Sequence, residues 1–435
     1  DEFEDWGDED NQGDEKYWFT KDKINKINMV HNYLDSLEPV GKVLSFSSII
    51  DVATQLNNNK PLGTLEMGVL YSKIPDSIKK ESLKVIKNDH PEVSFNALLG
   101  KVWYESREEP EYIWQSSAAN SDFEPKYSLM PLVFGTIKAT LYSLLFAAPL
   151  AIFGAVYTAY FMAPKMRRVV KPTIEIMEAL PTVILGFLAG LWLAPYLEKN
   201  LAGFFLIMVV VPTVVFFASL VWPKVSRSVR ERVPDGWESL LLMPVVCFGL
   251  WTSLALGAAI EIKFFAGNLP HWLNLQYGIS YDQRNSIVVG IAIGFAVIPT
   301  IFSISEDAVF GVPRTLTMGS LALGATPWQT VTRVILLTAS PGIFSAVMIG
   351  MGRAVGETMI VLMATGNTPI MDLNIFQGFR ALSANIAVEM PESEVNSTHY
   401  RILFLAALVL FLSTFFVNTL AEVVRQRLRK KYANL

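Results

Sequence analysis

The chain has 435 residues, is 51% hydrophobic and has a mean hydropathy of +0.35. Only 17% of its residues are charged, against about 25% in a soluble domain, and a net charge of −4 leaves no basic field for nucleic acid. The single cysteine, Cys247, excludes an intrachain disulfide and a cysteine metal cluster. The chain opens at Asp1 with no Met and no leader-like segment, which reads as a fragment or a processed chain.

Residues 1–15, DEFEDWGDEDNQGDE, form an acidic run expected to be solvated and flexible. Helical spacing follows from 21 to 60. Ile24, Ile27, Val30, Leu34 and Leu37 make one stripe, and Ile49, Val52 and Leu56 make another. Residues 40–46 between them read as a short strand, and KPLGTLEMGVLYSKIPDSIKKE reads as loop and helix, so this part looks like a small α+β module. The whole of 16–128 has soluble character.

From 129 onward the sequence is a series of long apolar runs, several reaching the roughly 20 residues that cross a bilayer. Seven spans are expected, at about 131–160, 173–197, 201–222, 240–262, 285–304, 341–365 and 402–421. Lys165, Arg167, Arg168 and Lys171 follow the first, and Lys224, Arg227, Arg230 and Arg232 follow the third. Arg425, Arg427, Arg429, Lys430 and Lys431 follow the last. The positive-inside rule puts all three groups in the cytoplasm, and with them the C-terminus, while 16–128 face outward. Gly186–Gly190 and Gly352–Gly356 have the GxxxG spacing of close helix packing. Pro181, Pro212 and Pro244 predict kinks. Glu175 and Glu178 read as helix-start residues of the second span, and Glu261 and Lys263 as snorkelling at the outer end of the fourth.

Residues 306–340, between spans five and six, are too long for a turn and too polar for a span. Gly324 divides two helix-like pieces, whose Leu316, Leu321, Leu323, Val331, Val334 and Leu337 are candidates for one apolar face. The residues alone leave two readings open: a surface gripped by another protein, or a helix packed on its own bundle.

Span six carries Arg353 and Glu357, which the four-residue spacing puts on one helix face, with Arg353 about 18 Å along the axis. An exposed Arg at such depth costs about 2.5–3.5 kcal/mol. The pair is read either as an interhelical tie or as a charge on a translocation path. In the second case the guanidinium fork suits an oxyanion, and the carboxylate competes for it. Thr358, Thr365 and Asn367 follow, to line that path or to bond backbone carbonyls. No G-x(4)-G-K-[ST] loop and no HExxH occurs, and His31, His90, His271 and His399 are scattered. No ATPase, metal or cofactor site is therefore expected in this chain.

GSLALGATPWQTVTRVILLTASPGI (319–343) resembles the coupling loop, E-A-A-x(3)-G-x(9)-I-x-L-P, of binding-protein-dependent ABC importer permeases. Gly324 matches the central Gly, and Val334 and Leu336 the Ile and Leu; Met318, Gly319 and Leu337 depart from the Glu, Ala and Pro. EALPTVILGFLAGLWLAP (178–195), SLALGAT (320–326), GRAVGETMIVLMATGN (352–367) and the stretch 122–161 resemble phosphate-specific permeases of the PstC type, over about 95–435.

That resemblance implies an all-α polytopic membrane protein with a MetI-like ABC importer permease bundle over 129–425, an outward α+β segment before it and a basic cytoplasmic tail at 426–435. It implies a permease subunit of an ATP-driven phosphate importer in a bacterial inner membrane. Arg353, Glu357 and Thr358 would lie on the substrate path. Ser320, Ala322, Gly324, Ala325, Val334 and Leu336 would lie in the ATPase coupling loop. Three kinds of partner are implied: a periplasmic phosphate-binding protein, a second permease subunit of PstA type, and a cytoplasmic ATP-binding subunit dimer that supplies hydrolysis. A permease for another oxyanion or small solute stays open as an alternative, as does an export or regulatory membrane protein. Separately, NMVHNYLDSLEPVGKVLSFSSIIDVATQLNNNKPLG resembles the periplasmic porter region of RND-type exporters, over about 15–82, as a fusion or insertion would.

Overall fold

A computed structural model describes residues 93–103, 108–117, 125–225, 233 and 237–432, with Met29 and the strands Val40–Ser45 and Leu83–Lys87. The acidic run 1–15, the helical stripes between 21 and 60 and most of the porter-like stretch lie outside these residues. So do Arg227, Arg230, Arg232 and the tail beyond Tyr432. The chain divides into two compact units, 1–94 and 95–435. In the first, β1 (Val40–Ser45), the strand expected there, pairs antiparallel with β2 (Leu83–Lys87), Val43 opposite Val85.

The second unit begins with α1 (Phe95–Leu99) and a short antiparallel ladder, β3 (Trp114–Gln115) on β4 (Lys126–Tyr127). Helices then take over. α2 (Met130–Val156) ends in a π-turn at Tyr157–Phe161. α3 (Pro164–Met177) and α4 (Thr182–Leu188) follow, and a second π-turn, Ala189–Leu193, joins α4 to α5 (Ala194–Lys199). α6 (Leu201–Val221) and α7 (Glu238–Phe264) pack on each other, and α8 (Leu269–Tyr277) leads to α9 (Ser286–Phe310). α10 (Arg314–Ala322) precedes α11 (Pro327–Thr330), which runs through a π-turn at Val331–Ile335 into α12 (Leu336–Gly356). α13 (Met359–Ala364), α14 (Leu382–Glu389) and α15 (Thr398–Tyr432) complete the chain.

Among the described residues, six helical stretches are long and apolar enough to cross a membrane: Met130–Phe161, Leu201–Lys224, Leu240–Phe264, Ser286–Phe310, Pro327–Gly356 and Thr398–Arg427. The expected span 173–197 is instead broken, with α3 and the α4–α5 stretch meeting at 82°. Pro181, the N-cap of α4, has no N–H to continue the ladder from α3. Interior prolines also sit in α2 (Pro149), α3 (Pro172), α6 (Pro212), α7 (Pro244), α9 (Pro299) and α12 (Pro341), whereas α15 has none.

The core forms around α9, which packs on α2 and α12. Asn285 starts it by accepting the backbone N–H groups of Ile287 and Val288. Ala147, Ala151 and Ala155 on α2, one turn apart, and Ala292 and Ala296 on α9 are buried, so the backbones approach closely. Gly186 and Gly190 do the same against α13: a Cβ on Gly190 would stand 2.5 Å from the Met363 carbonyl oxygen. In the other pair a Cβ on Gly352 would stand 3.4 Å from Asn418 Oδ1 on α15, whereas one on Gly356 would meet nothing within 4 Å among the described residues. Glu261 does not snorkel. It is buried and its Oε1 accepts the Ala202 N–H, capping the start of α6.

The end of the bundle opposite α10 is tied by polar contacts. Lys138, buried on α2, donates to the carbonyls of Asp372 (2.7 Å) and Asn374 (2.8 Å) and so satisfies its ammonium. Glu389 at the end of α14 accepts from Trp114 Nε1 (3.0 Å), lies 3.0 Å from Arg380 Nη2 and 2.7 Å from His399 Nε2. The Tyr127 ring stacks on His399, so β3, β4, α14 and α15 meet at one carboxylate. Burial alone would push the Glu389 carboxyl up. Hydrogen bonds from His399 and Trp114 and the Arg380 charge outweigh it and hold the carboxyl below its ordinary value.

Two expectations follow. Gly190→Ala lowers the thermal unfolding midpoint of the detergent-solubilised protein, through overpacking of about 1–3 kcal/mol, while Gly319→Ala, in open space, does not. Glu389, depressed in the folded state, contributes fully above its unfolded pKa of about 4.3, and that contribution is lost as pH falls through the native value. Between about pH 5 and pH 3 the midpoint therefore falls more steeply for wild type than for Glu389→Gln; parallel curves would remove the clasp.

Candidate functional site

α3 presents Arg167, Lys171, Glu175 and Glu178 along one face, at steps of four, four and three residues. α9 answers with Thr300, Ser303, Glu306 and Asp307. Glu306 is 0% exposed; its carboxylate lies 2.5 Å from Arg167 Nη2 and 2.9 Å from Lys171 Nζ. Lys171 also reaches Asp307 at 2.5 Å. The Arg167 guanidinium stacks 3.5 Å over the Phe310 ring. One turn further along, the Ser303 hydroxyl donates to Glu175 at 2.9 Å. Buried ions need such partners, because each unpaired charge in a dry site costs several kcal/mol.

Arg353 joins this seam from α12. Its Nη1 donates to Glu178 Oε1 (2.6 Å) and to Thr300 Oγ1 (2.8 Å), and the Thr300 hydroxyl donates to the same Glu178 oxygen at 2.8 Å. The side chains of Arg353 and Glu178 are 29% and 43% exposed, so the triad borders open space. Among the described residues Arg353 Nε and Nη2 have no hydrogen-bond or ion-pair partner. That edge of the guanidinium is one of its two bidentate faces.

The expected Arg353–Glu357 pair does not form. α12 ends at Gly356, and Glu357 takes extended backbone angles (φ −65°, ψ 123°), which turn its side chain away from the Arg353 face. Glu357 is buried and instead accepts the Ile360 N–H at the start of α13, while its carbonyl accepts the Ser383 hydroxyl. Arg353 thus stands in the last turn of a helix that begins at Pro327, where unsatisfied carbonyls favour a cation. The Thr358 hydroxyl donates to the Gly356 carbonyl, and Thr365 accepts the Asn367 N–H. Glu175 and Glu178 are not helix-start residues: they lie in the last turn and at the C-cap of α3.

The loop expected at 306–340 is shorter, because α9 continues to Phe310 and a helix resumes at Pro327. Ser320 and Ala322 lie on α10, Gly324 takes a left-handed φ of +85°, and the Ala325 N–H closes back on the Ser320 carbonyl. The Ser320 and Thr330 hydroxyls, 3.0 Å apart, brace the two sides. Val334 and Leu336 sit behind, partly buried on the returning helix. The six apolar positions do not share a face. Val331 is buried and Leu323 is 91% exposed, so Met318, Leu323 and Trp328 form the protruding surface.

Sequence reasoning missed Glu178, Thr300 and Glu306 as a set. The signal available for α3 was its 167–171–175–178 spacing. For the resumption of the helix at 327 it was the Thr326–Gln329 capping box behind Pro327.

A family model described as "Binding-protein-dependent transport system inner membrane component" matches residues 147–430. Among similar proteins, the probable ABC transporter permease protein YqgH of Bacillus subtilis is 27% identical over 307 residues, 71% of this chain and 74% of its own. The phosphate transport system permease protein PstC 1 of Mycobacterium tuberculosis is 30% identical over 232 residues, 52% of this chain and 69% of its own. The phosphate transport system permease protein PstC of Mesorhizobium japonicum is 24% identical over 303 residues, 70% of this chain and 75% of its own.

A double-mutant cycle on unfolding separates the two carboxylates. Arg353→Gln with Glu178→Gln shows coupling of about 0.5–1 kcal/mol, as expected for a partly exposed pair, and Arg353→Gln with Glu357→Gln shows none. Equal coupling in both cycles would sink the assignment.

Proposed function

The chain belongs to the family of binding-protein-dependent transport system inner membrane components and is an ABC permease of the PstC type, and from that premise we propose that it forms part of the inorganic phosphate path of an ATP-driven importer. The observation that carries this reading is the Arg353 guanidinium, held among membrane helices with one bidentate edge unoccupied by protein. Phosphate is an oxyanion whose oxygens match that fork. The names of the PstC relatives supply the choice of phosphate.

In this reading a periplasmic phosphate-binding protein delivers the anion at the end of the bundle where Lys138 and Glu389 tie the loops. The anion passes Arg353, with Glu357 and Thr358 at the helix break beside it. A second permease subunit of PstA type completes the path. A cytoplasmic ATP-binding subunit dimer grips the coupling loop, where exposed Met318, Leu323 and Trp328 offer an apolar grip. In this reading that loop lies in the cytoplasm and residues 16–128 in the periplasm, which the basic clusters after the first and third spans and at the C-terminus support through the positive-inside rule.

A guanidinium does not choose between phosphate and another tetrahedral oxyanion, and the name of the Bacillus relative specifies no substrate. Uptake of radiolabelled phosphate into proteoliposomes holding the chain with its partner subunits tests both points. The expected result is ATP-dependent uptake that survives excess sulfate and falls roughly tenfold or more in Arg353→Ala, since a charged hydrogen bond contributes about 1.5–3 kcal/mol. Sulfate competition at equal strength would move the reading to a broader oxyanion permease. Normal uptake by Arg353→Ala would remove Arg353 from the path. Leu323→Glu is expected to cut ATP-driven uptake while phosphate binding persists; unchanged uptake would take the loop tip out of the coupling surface.

A further inference from the structure

We propose that Glu178 is the positioning residue for Arg353 and sets how readily the anion leaves it, an inference that rests on the path reading given above. Three features converge on the carboxylate. It holds Nη1 at 2.6 Å and shares Thr300 with it, so one corner of the guanidinium is fixed at two points on α3 and α9. The free Nε–Nη2 edge is thereby aimed in one direction rather than swinging on a long side chain, whose ordering would otherwise cost affinity at each binding event. The second feature is charge. A lone Arg in a low-dielectric path binds an oxyanion strongly and releases it slowly, whereas a carboxylate on the opposite corner reduces the positive potential that the anion meets.

The third feature is place. Glu178 is the C-cap of α3, at the 82° break before α4. The other end of α3 is tied through Arg167 and Lys171 to Glu306, four residues from the end of α9 that leads into the coupling loop. The carboxylate thus stands where a short helix, tied along its length to α9, gives way to a sharp turn of the chain. A shift of α3 against α9 alters the Glu178–Arg353 contact directly.

The test uses the complete transporter in proteoliposomes with inorganic phosphate as the probe, read as separate KM and kcat values for uptake, with subunit co-purification as the assembly measurement. Glu178→Gln keeps an oxygen acceptor for Nη1 and removes the charge. It is expected to lower KM by about threefold or more and to lower kcat by about tenfold, the split expected when ground-state binding tightens and release slows. Glu178→Asp restores the charge and is expected to recover most of kcat. KM and kcat both unchanged in Glu178→Gln, or KM raised, would overturn the inference, as would loss of assembly in either variant, which would make the carboxylate a structural tie. Arg353→Ala, run in parallel, separates the two levels. If it abolishes uptake while Glu178→Gln behaves as wild type, only the inference about Glu178 fails. If Arg353→Ala transports normally, the path reading itself fails.

Discussion

A fully buried carboxylate on a membrane helix costs several kcal/mol unless cations reach it, and Glu306 on α9 has two, both supplied by α3. This pairing determines much else. It lays α3 along α9 in one register, because Arg167 and Lys171 are a turn apart and share one partner. That register brings Glu175 opposite Ser303 and Glu178 opposite Thr300. With Glu178 in place, the guanidinium of Arg353 has a counter-charge that its own helix does not provide. The chain then turns at Glu178–Pro181, and α4 packs back on α13 through Gly186 and Gly190. Charge pairing at one end and glycine contact at the other thus frame the same helix break.

The two ends of the bundle are held by different chemistry. At the α10 end the surface is apolar and projecting, with Leu323 almost fully exposed beside a left-handed Gly324. At the other end the loops are pinned by a buried ammonium on backbone carbonyls and by a carboxylate shared among Trp114, Arg380 and His399. The first arrangement leaves a surface for a partner to grip, and the second holds irregular backbone in place where it has no helix to support it.

Apolar length alone located six of the seven expected spans, since hydropathy over some twenty residues is a direct consequence of bilayer thickness, but it did not show the 82° break in 173–197. GxxxG spacing at 186–190 and the glycine at 324 were likewise legible, because small residues and left-handed backbone have few substitutes. The partner of Arg353 was not. Spacing four residues apart implies contact only on an unbroken helix, and nothing in GRAVGET marks the point where Glu357 leaves helical geometry. The true partner comes from 175 residues upstream. The end of the fifth span was misplaced for a related reason: hydropathy falls at Glu306 and Asp307, yet the helix continues because α3 neutralises those carboxylates. Periodicity reads one helix at a time, and both errors are contacts between helices.

The distribution of proline gives the bundle uneven bending stiffness. α2, α3, α6, α7, α9 and α12 each carry one interior proline, and each ring removes a ladder bond and leaves a carbonyl without its usual donor. α15 carries none, runs unbroken for 35 residues and packs along α12. Elastic compliance is therefore spread through these six helices, and α15, packed along α12, serves as the stiff mast against which the Arg353 helix can flex.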